Sequence, residues 1–126
     1  MSKLKQNKIL IVEDESSLLR VLEKKLTSEG YNVVTGKDGE QGLSVALKEH
    51  PDLILLDIIM PKMDGVTVLE KLREDDWGKN VPVIMLTNLT DSEKVFKAKD
   101  GDVREYLVKT DWKLEDVVGV IKKHLE

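Results

Sequence analysis

The sequence predicts an α/β fold: a doubly wound, five-stranded parallel sheet with helices on both faces, making a three-layer sandwich. Three observations predict it. Short apolar runs recur at Ile9–Val12, Tyr31–Val34, Leu53–Leu56, Val81–Leu86 and Tyr106–Val108. Segments with helical spacing of apolar residues separate them. The runs are almost continuously apolar rather than alternating, as strands buried on both faces must be.

Each helix has its own signature. Leu18, Leu19, Leu22 and Leu26 share one face of the first, and Leu43, Ala46 and Leu47 one face of the second. Val68, Leu69 and Leu72 give the third, and Leu114, Val117, Val118, Ile121 and Leu125 the fifth. Asp38 with Gln41, and Thr90 with Glu93, fit capping boxes, while Asp64 and Asp111 suit N-caps. Gly30 suits the C-terminal cap of the first helix. Pro51 and Pro82 stand at or just before strand starts, where a missing N–H is tolerated. The fourth helix, over Asp91–Gly101, is the weak one, because Val95, Phe96 and Ala98 are its only apolar residues. A helix owes most of its stability to a packed apolar face, so this one is expected to be short or mobile.

Right-handed crossovers leave few topologies. A flavodoxin-like strand order, 2-1-3-4-5, places the first and third strands side by side at the switch point, where such sheets bind ligands at their carboxyl edge. At 126 residues, with no linker, repeat or low-complexity stretch, the chain reads as a single domain over residues 1–126.

Composition excludes several function classes. There is no cysteine, so disulfides, thiolate catalysis and thiolate metal sites are ruled out. A net charge of −4 with both signs mixed along the chain argues against direct nucleic-acid binding, which needs a basic stripe. No segment approaches the roughly 18 apolar residues of a membrane helix. The basic start MSKLKQNK leads into an apolar run that is too short for a signal peptide and is cut by Glu13-Asp14-Glu15. The expected location is cytoplasmic, without membrane contact.

Five polar residues mark the ends of these strands. Glu13 and Asp14 follow the first, Asp57 the third, Thr87 the fourth and Lys109 the fifth. In a parallel sheet all five emerge at one edge. Carboxylates a few ångströms apart repel by roughly 1 kcal/mol in water and about 4 at an effective dielectric near 20. A hard cation with oxygen ligands relieves this, and Mg²⁺ uses one or two carboxylates plus water and a phosphate oxygen. Thr87 and Lys109 suit a phosphoryl group as hydroxyl donor and compensating charge. Carboxylates also serve as phosphoryl acceptors through aspartyl-phosphate.

The chain resembles the CheY-like receiver domain of bacterial two-component response regulators over essentially its whole length. The matching pieces are Ile9-Leu10-Ile11-Val12-Glu13-Asp14-Glu15; Pro51-Asp52-Leu53-Ile54-Leu55-Leu56-Asp57-Ile58-Ile59-Met60-Pro61 with Met63-Asp64-Gly65; Pro82-Val83-Ile84-Met85-Leu86-Thr87; and Glu105-Tyr106-Leu107-Val108-Lys109. The resemblance implies a signalling switch, not a metabolic enzyme. Asp57 would be the phosphoacceptor for a phosphohistidine on a sensor histidine kinase or phosphotransfer protein. Asp14, Asp57 and the main-chain carbonyl of Ile59 would ligate Mg²⁺ (or Mn²⁺), with Glu13 acting through a metal-bound water. Lys109 would contact the phosphoryl group, Thr87 would move to it and Tyr106 would swing inward. The face made by the fourth helix, fifth strand and fifth helix would carry the change to a downstream protein or output domain, with the chain a monomer or a phosphorylation-dependent dimer.

The chain departs from the family pattern at Asn88, where receivers have a small residue, and at Thr110, where they have proline, often after a cis bond. Gly101 also falls one residue earlier than the usual Gly-Ala, which aligns with Asp102-Val103. Other readings compete. A phosphatase of the haloacid dehalogenase type needs a second acid two residues after its nucleophile, and here that position is Ile59. A nucleotide- or flavin-binding domain needs a phosphate cradle where Glu13-Asp14-Glu15 would repel one. A pseudo-receiver would keep the fold without phosphorylation, against which the complete acidic set argues. Blander roles suit other residues: Lys113, Lys122 and Lys123 as a solvated face, and Met60 and Met63 as packing. Trp77 and Trp112 suit covers for apolar edges, and His50 and His124 show no partner pattern.

Overall fold

The computed structural model describes residues 7–87, 103–108 and 113–125. The five strands are β1 (Lys8–Val12), β2 (Asn32–Gly36), β3 (Leu53–Asp57), β4 (Val83–Thr87) and β5 (Glu105–Val108). They form one sheet, in which every pairing is parallel, in the order β2-β1-β3-β4-β5. The described helices are α1 (Ser16–Ser28), α2 (Gly39–Glu49), α3 (Gly65–Arg73) and a C-terminal helix (Leu114–Leu125). The helix expected over 91–101 and the caps expected at Thr90 and Asp111 lie outside the described residues, as does the Lys109–Thr110 bond.

Period-two alternation divides each strand between two cores. Ile9, Ile11, Leu53, Leu55, Ile84, Leu86 and Leu107 pack under α1 and the C-terminal helix. Leu10, Val12, Ile54, Leu56, Val83 and Met85 pack under α2 and α3. Both faces are covered, so β3 is buried at every position, whereas the edge strand β2 is half-exposed along most of its length.

The helix ends follow their sequence signals. α1 closes in a Schellman motif: Gly30 N–H donates to Thr27 O at 3.0 Å and Tyr31 N–H to Leu26 O at 3.2 Å. Gly30 takes φ +97, which glycine adopts without a Cβ penalty, and Tyr31 and Leu26 belong to one apolar cluster. Asp64 caps α3 by accepting from Thr67 N–H at 2.8 Å. At α2, Asp38 accepts from Gln41 N–H at 2.8 Å, but Gln41 Oε1 accepts from Lys37 N–H at 2.6 Å, one residue before the cap. The box therefore closes one residue wide of its usual form.

α2 keeps Ala46 and the half-buried Leu43 of its predicted face, but Leu47 is 40% exposed, and Gly39 and Gly42 take buried positions. A Cβ on Gly42 would stand 2.5 Å from a Val12 methyl, and one on Gly39 would overlap the Met63 carbonyl. At Gly42 the helix lies so close to β1 that no side chain fits between them. Met60 and Met63 pack as expected, and Trp77 covers the edge of the α2–α3 core.

Gly119 in the C-terminal helix has no such constraint, since a Cβ there meets nothing within 4 Å among the described residues. Gly119→Ala is expected to stabilise the protein by about 0.5–1 kcal/mol in urea unfolding, because alanine costs less helical entropy. A destabilised variant would mean that this helix face is covered.

Candidate functional site

β1 and β3 are neighbours, with Val12 opposite Leu56. The residues that follow, Glu13 and Asp14 on one side and Asp57 on the other, therefore leave the carboxyl edge together. One carboxylate oxygen from each of the three lies within 4.8 Å of the others. Glu13 is fully buried, Asp57 is 3% exposed and Asp14 is open to solvent. The sheet order, which carries β1 directly to β3, is what turns two sequence segments 43 residues apart into one cluster.

The backbone around the acids is closely held. Glu13 N–H donates to Gly36 O at 3.0 Å, extending the β1–β2 ladder past the strand end. Glu13 Oε2 accepts from Glu15 N–H at 3.0 Å, which ties the buried acid to the entry of α1. Glu15 is the N-cap of α1 but makes no side-chain cap bond. Beyond Asp57, Ile58 N–H donates to Leu86 O at 3.1 Å, and Gly65 N–H returns to Ile58 O at 2.7 Å. That second bond folds the β3–α3 loop back beneath the acids. The turn needs a left-handed residue, Lys62 at φ 71, whose ammonium lies 3.8 Å from Asp38.

Ile59, two residues past Asp57, is 49% exposed on this loop. Its aliphatic side chain offers no acid or base there. Thr87 ends β4, next to Asp57 in the order of strands, with Val108 opposite it in β5. The Thr87 side chain and all of Lys109 fall outside the described residues, as does Asn88. Tyr106 is half-buried and packs against the α2–α3 core, on the face of β5 opposite Leu107.

Three carboxylates, two of them buried, make a site of concentrated negative charge that suits a hard divalent cation by its all-oxygen donors. This is the one such group of acids among the described residues. Sequence reasoning missed contacts elsewhere. His50 stacks on Trp77 with ring centroids 4.4 Å apart and planes 7° from parallel. His124 Nε2 lies 2.9 Å from Glu105 Oε1. Both pairs join residues far apart in the chain, so no local pattern signals them. The three-residue spacing of Gly39 and Gly42 puts them on one helix face, but it does not say that this face meets the sheet.

A sequence model of the response regulator receiver domain matches residues 9–122. The "Probable transcriptional regulator ycf27" of Porphyridium aerugineum is 41% identical over 106 residues, covering 84% of this chain and 43% of that protein. "Response regulator PleD" of Caulobacter vibrioides is 39% identical over 102 residues, covering 81% of this chain and 22% of that protein. The chain thus spans less than half the length of these curated relatives. The receiver domain of sensor histidine kinase PA1611 from Pseudomonas aeruginosa PAO1, solved with a magnesium ion coordinated in its active site cleft, aligns with TM-score 0.85 at 30% identity, over 96% of this chain and 98% of that one. Chemotaxis response regulator CheY4 of Vibrio cholerae aligns with TM-score 0.86 at 30% identity, over 94% of this chain and 98% of that one. No helix among the described residues is long and apolar enough to cross a membrane.

Proposed function

Since the chain belongs to the response regulator receiver domain family, we propose that it is a cytoplasmic phosphorylation-dependent signalling switch, a single receiver unit with Asp57 as its phosphoacceptor. The observation that carries this reading is the meeting of Glu13, Asp14 and Asp57 within 4.8 Å at the carboxyl edge of β1 and β3. Asp57 ends β3, a strand buried at every position, and the residue after it is held by a backbone bond to Leu86 O.

In the proposed reaction an Asp57 carboxylate oxygen attacks phosphorus, and the bond from phosphorus to the donor breaks. The donor keeps the electron pair: a phosphohistidine protonated on its other ring nitrogen returns to neutral imidazole, and a small acyl phosphate to its carboxylate. Asp14, Asp57 and the Ile59 carbonyl would hold Mg²⁺ or Mn²⁺, with Glu13 acting through a water. A divalent cation there supplies positive charge against the carboxylates and the incoming phosphoryl oxygens. The magnesium in the cleft of the related receiver of the PA1611 kinase supports this choice of ion. By the family pattern Lys109 balances the phosphoryl charge, Thr87 donates its hydroxyl to it, and Tyr106 follows inward. The change would pass to the face formed by the fourth helix, β5 and the C-terminal helix, and so to an output domain or protein target. The phosphoryl source would be a histidine kinase or phosphotransfer protein.

Ile59 favours a switch over a phosphatase. A phosphatase that works through aspartyl-phosphate places a general acid/base two residues after its nucleophile, and here that position is aliphatic. Phospho-Asp57 should therefore hydrolyse slowly. Intact-mass measurement after incubation with acetyl phosphate and Mg²⁺ tests the reading. The wild type is expected to gain one phosphoryl group and Asp57→Ala none. An unmodified wild type would reduce the chain to a pseudo-receiver, and rapid steady turnover of phosphate monoesters would favour the phosphatase.

A further inference from the structure

Only histidine side chains ordinarily change charge between pH 5 and 8. This chain has two histidines and no cysteine, and the fold places the two in different settings. His50 caps α2 in a left-handed conformation and lies flat against Trp77. His124, near the end of the C-terminal helix, reaches across to the first residue of β5, with Nε2 2.9 Å from Glu105 Oε1. The pair is substantially shielded, with the His124 side chain 14% exposed and that of Glu105 31%.

Strand alternation explains the meeting. Leu107 faces the core beneath the C-terminal helix, so Glu105, two residues earlier, points to the same side. On the helix, Val117, Val118 and Ile121 bury the facing stripe, and His124 follows Ile121 by three residues, at the point where that stripe passes the strand start. Tyr106 lies on the other side of β5. The contact thus fixes the strand that carries Tyr106 to the helix behind it.

We propose that His124 and Glu105 form a proton-operated clasp, which binds the C-terminal helix to the start of β5 more tightly when the imidazole is charged. A neutral imidazole can keep one hydrogen bond to the carboxylate, while the imidazolium adds charge to it. Other charged groups stand around the pair. Lys123 Nζ shares Glu105 Oε1 at 3.4 Å, and Arg104 precedes Glu105 in the chain. Toward α1, Lys122 lies 3.6 Å from Glu29, and Lys25 lies 3.4 Å from Glu29 and 3.8 Å from Glu115. The hydrogen bond from His124 is the leading cause that holds the Glu105 carboxyl below the ordinary value of 4.5, with Lys123 adding to it. A depressed carboxyl contributes stability that is present above its unfolded value and lost as pH falls through the lower folded one. The clasp therefore has an acid limit, below the ordinary carboxylate range, set by Glu105. The inference concerns the unphosphorylated protein and does not rest on Asp57 being phosphorylated.

A double-mutant cycle tests it. Glu105→Gln, His124→Gln and the pair are unfolded in urea at pH 5.5 and at pH 8. The coupling between the two positions is expected to change the unfolding constant about three- to fivefold at pH 5.5, the range of a partly exposed pair, and to shrink toward onefold at pH 8. His50→Gln should leave that coupling unchanged, since its stack lies elsewhere. Equal coupling at the two pH values would reduce the contact to plain packing, and absence of coupling at pH 5.5 would remove the clasp altogether.

Discussion

Asp57→Asn is expected to be more stable than the wild type when no divalent cation is present, and to lose the stabilisation that Mg²⁺ gives the wild type. Two of the three clustered acids are buried, and their oxygens lie within 4.8 Å of one another. At such separations each pair of charges repels by roughly 1 kcal/mol in water and about 4 at an effective dielectric near 20. The Lys109 ammonium that the proposed site brings nearby offsets only part of three negative charges. Removing one of them with an amide of the same shape is expected to stabilise by about 1–3 kcal/mol, or roughly 4 °C in Tm per kcal/mol for a chain of this size. In the wild type, millimolar Mg²⁺ should raise Tm by mass action, and in Asp57→Asn that rise should shrink to a fraction. Thermal unfolding of both proteins with EDTA and with about 10 mM MgCl₂ measures both effects. An Asn variant less stable than wild type under EDTA would show that the cluster is already neutralised, and an undiminished Mg²⁺ rise would place the cation elsewhere.

Gly65→Ala is expected to damage folding and phosphorylation together. Gly65 opens α3 directly under the acidic loop, and its N–H donates to Ile58 O at 2.7 Å. A Cβ there would stand 2.3 Å from the Asp57 carbonyl oxygen and 2.8 Å from Ile58 Cα. Those are backbone atoms, so no side chain can turn aside to make room. The helix start and the strand end must separate, at a cost of about 3 kcal/mol, near the top of the range for overpacking. The same shift moves the residue after Asp57, and a misplacement of ~1 Å can cost about a hundredfold in rate. Urea unfolding and the rate of phosphoryl gain from acetyl phosphate are the two measurements. An alanine variant with wild-type stability would mean that the loop yields freely, and the packing argument would fail. Gly119→Ala is the control, since it adds the same methyl where no described residue lies within 4 Å.

The contrast between these glycines shows where sequence reasoning stops. Gly39, Gly42, Gly65 and Gly119 all lie in helices. Their sequence surroundings do not say which three touch another backbone or core side chain, because that depends on how closely α2 and α3 lie to the sheet. For the same reason Leu47, at a predicted core position, is exposed while Gly42 is buried. The caps behaved differently. Gly30, Asp38 and Asp64 act within a few residues of their own positions, and each was legible from the chain alone.

The sequence by itself determined the strands, their burial on both faces, the helix ends at Gly30, Asp38 and Asp64, and the acids that end β1 and β3. These are properties of single residues and of local periodicity, which a linear chain carries openly. Only the tertiary structure decided that Glu13, Asp14 and Asp57 share a space of 4.8 Å, that α2 rests on glycine, and that His124 meets Glu105 across 19 residues. Each of those depends on distances between elements, which are set by how two packed surfaces interlock rather than by either surface alone.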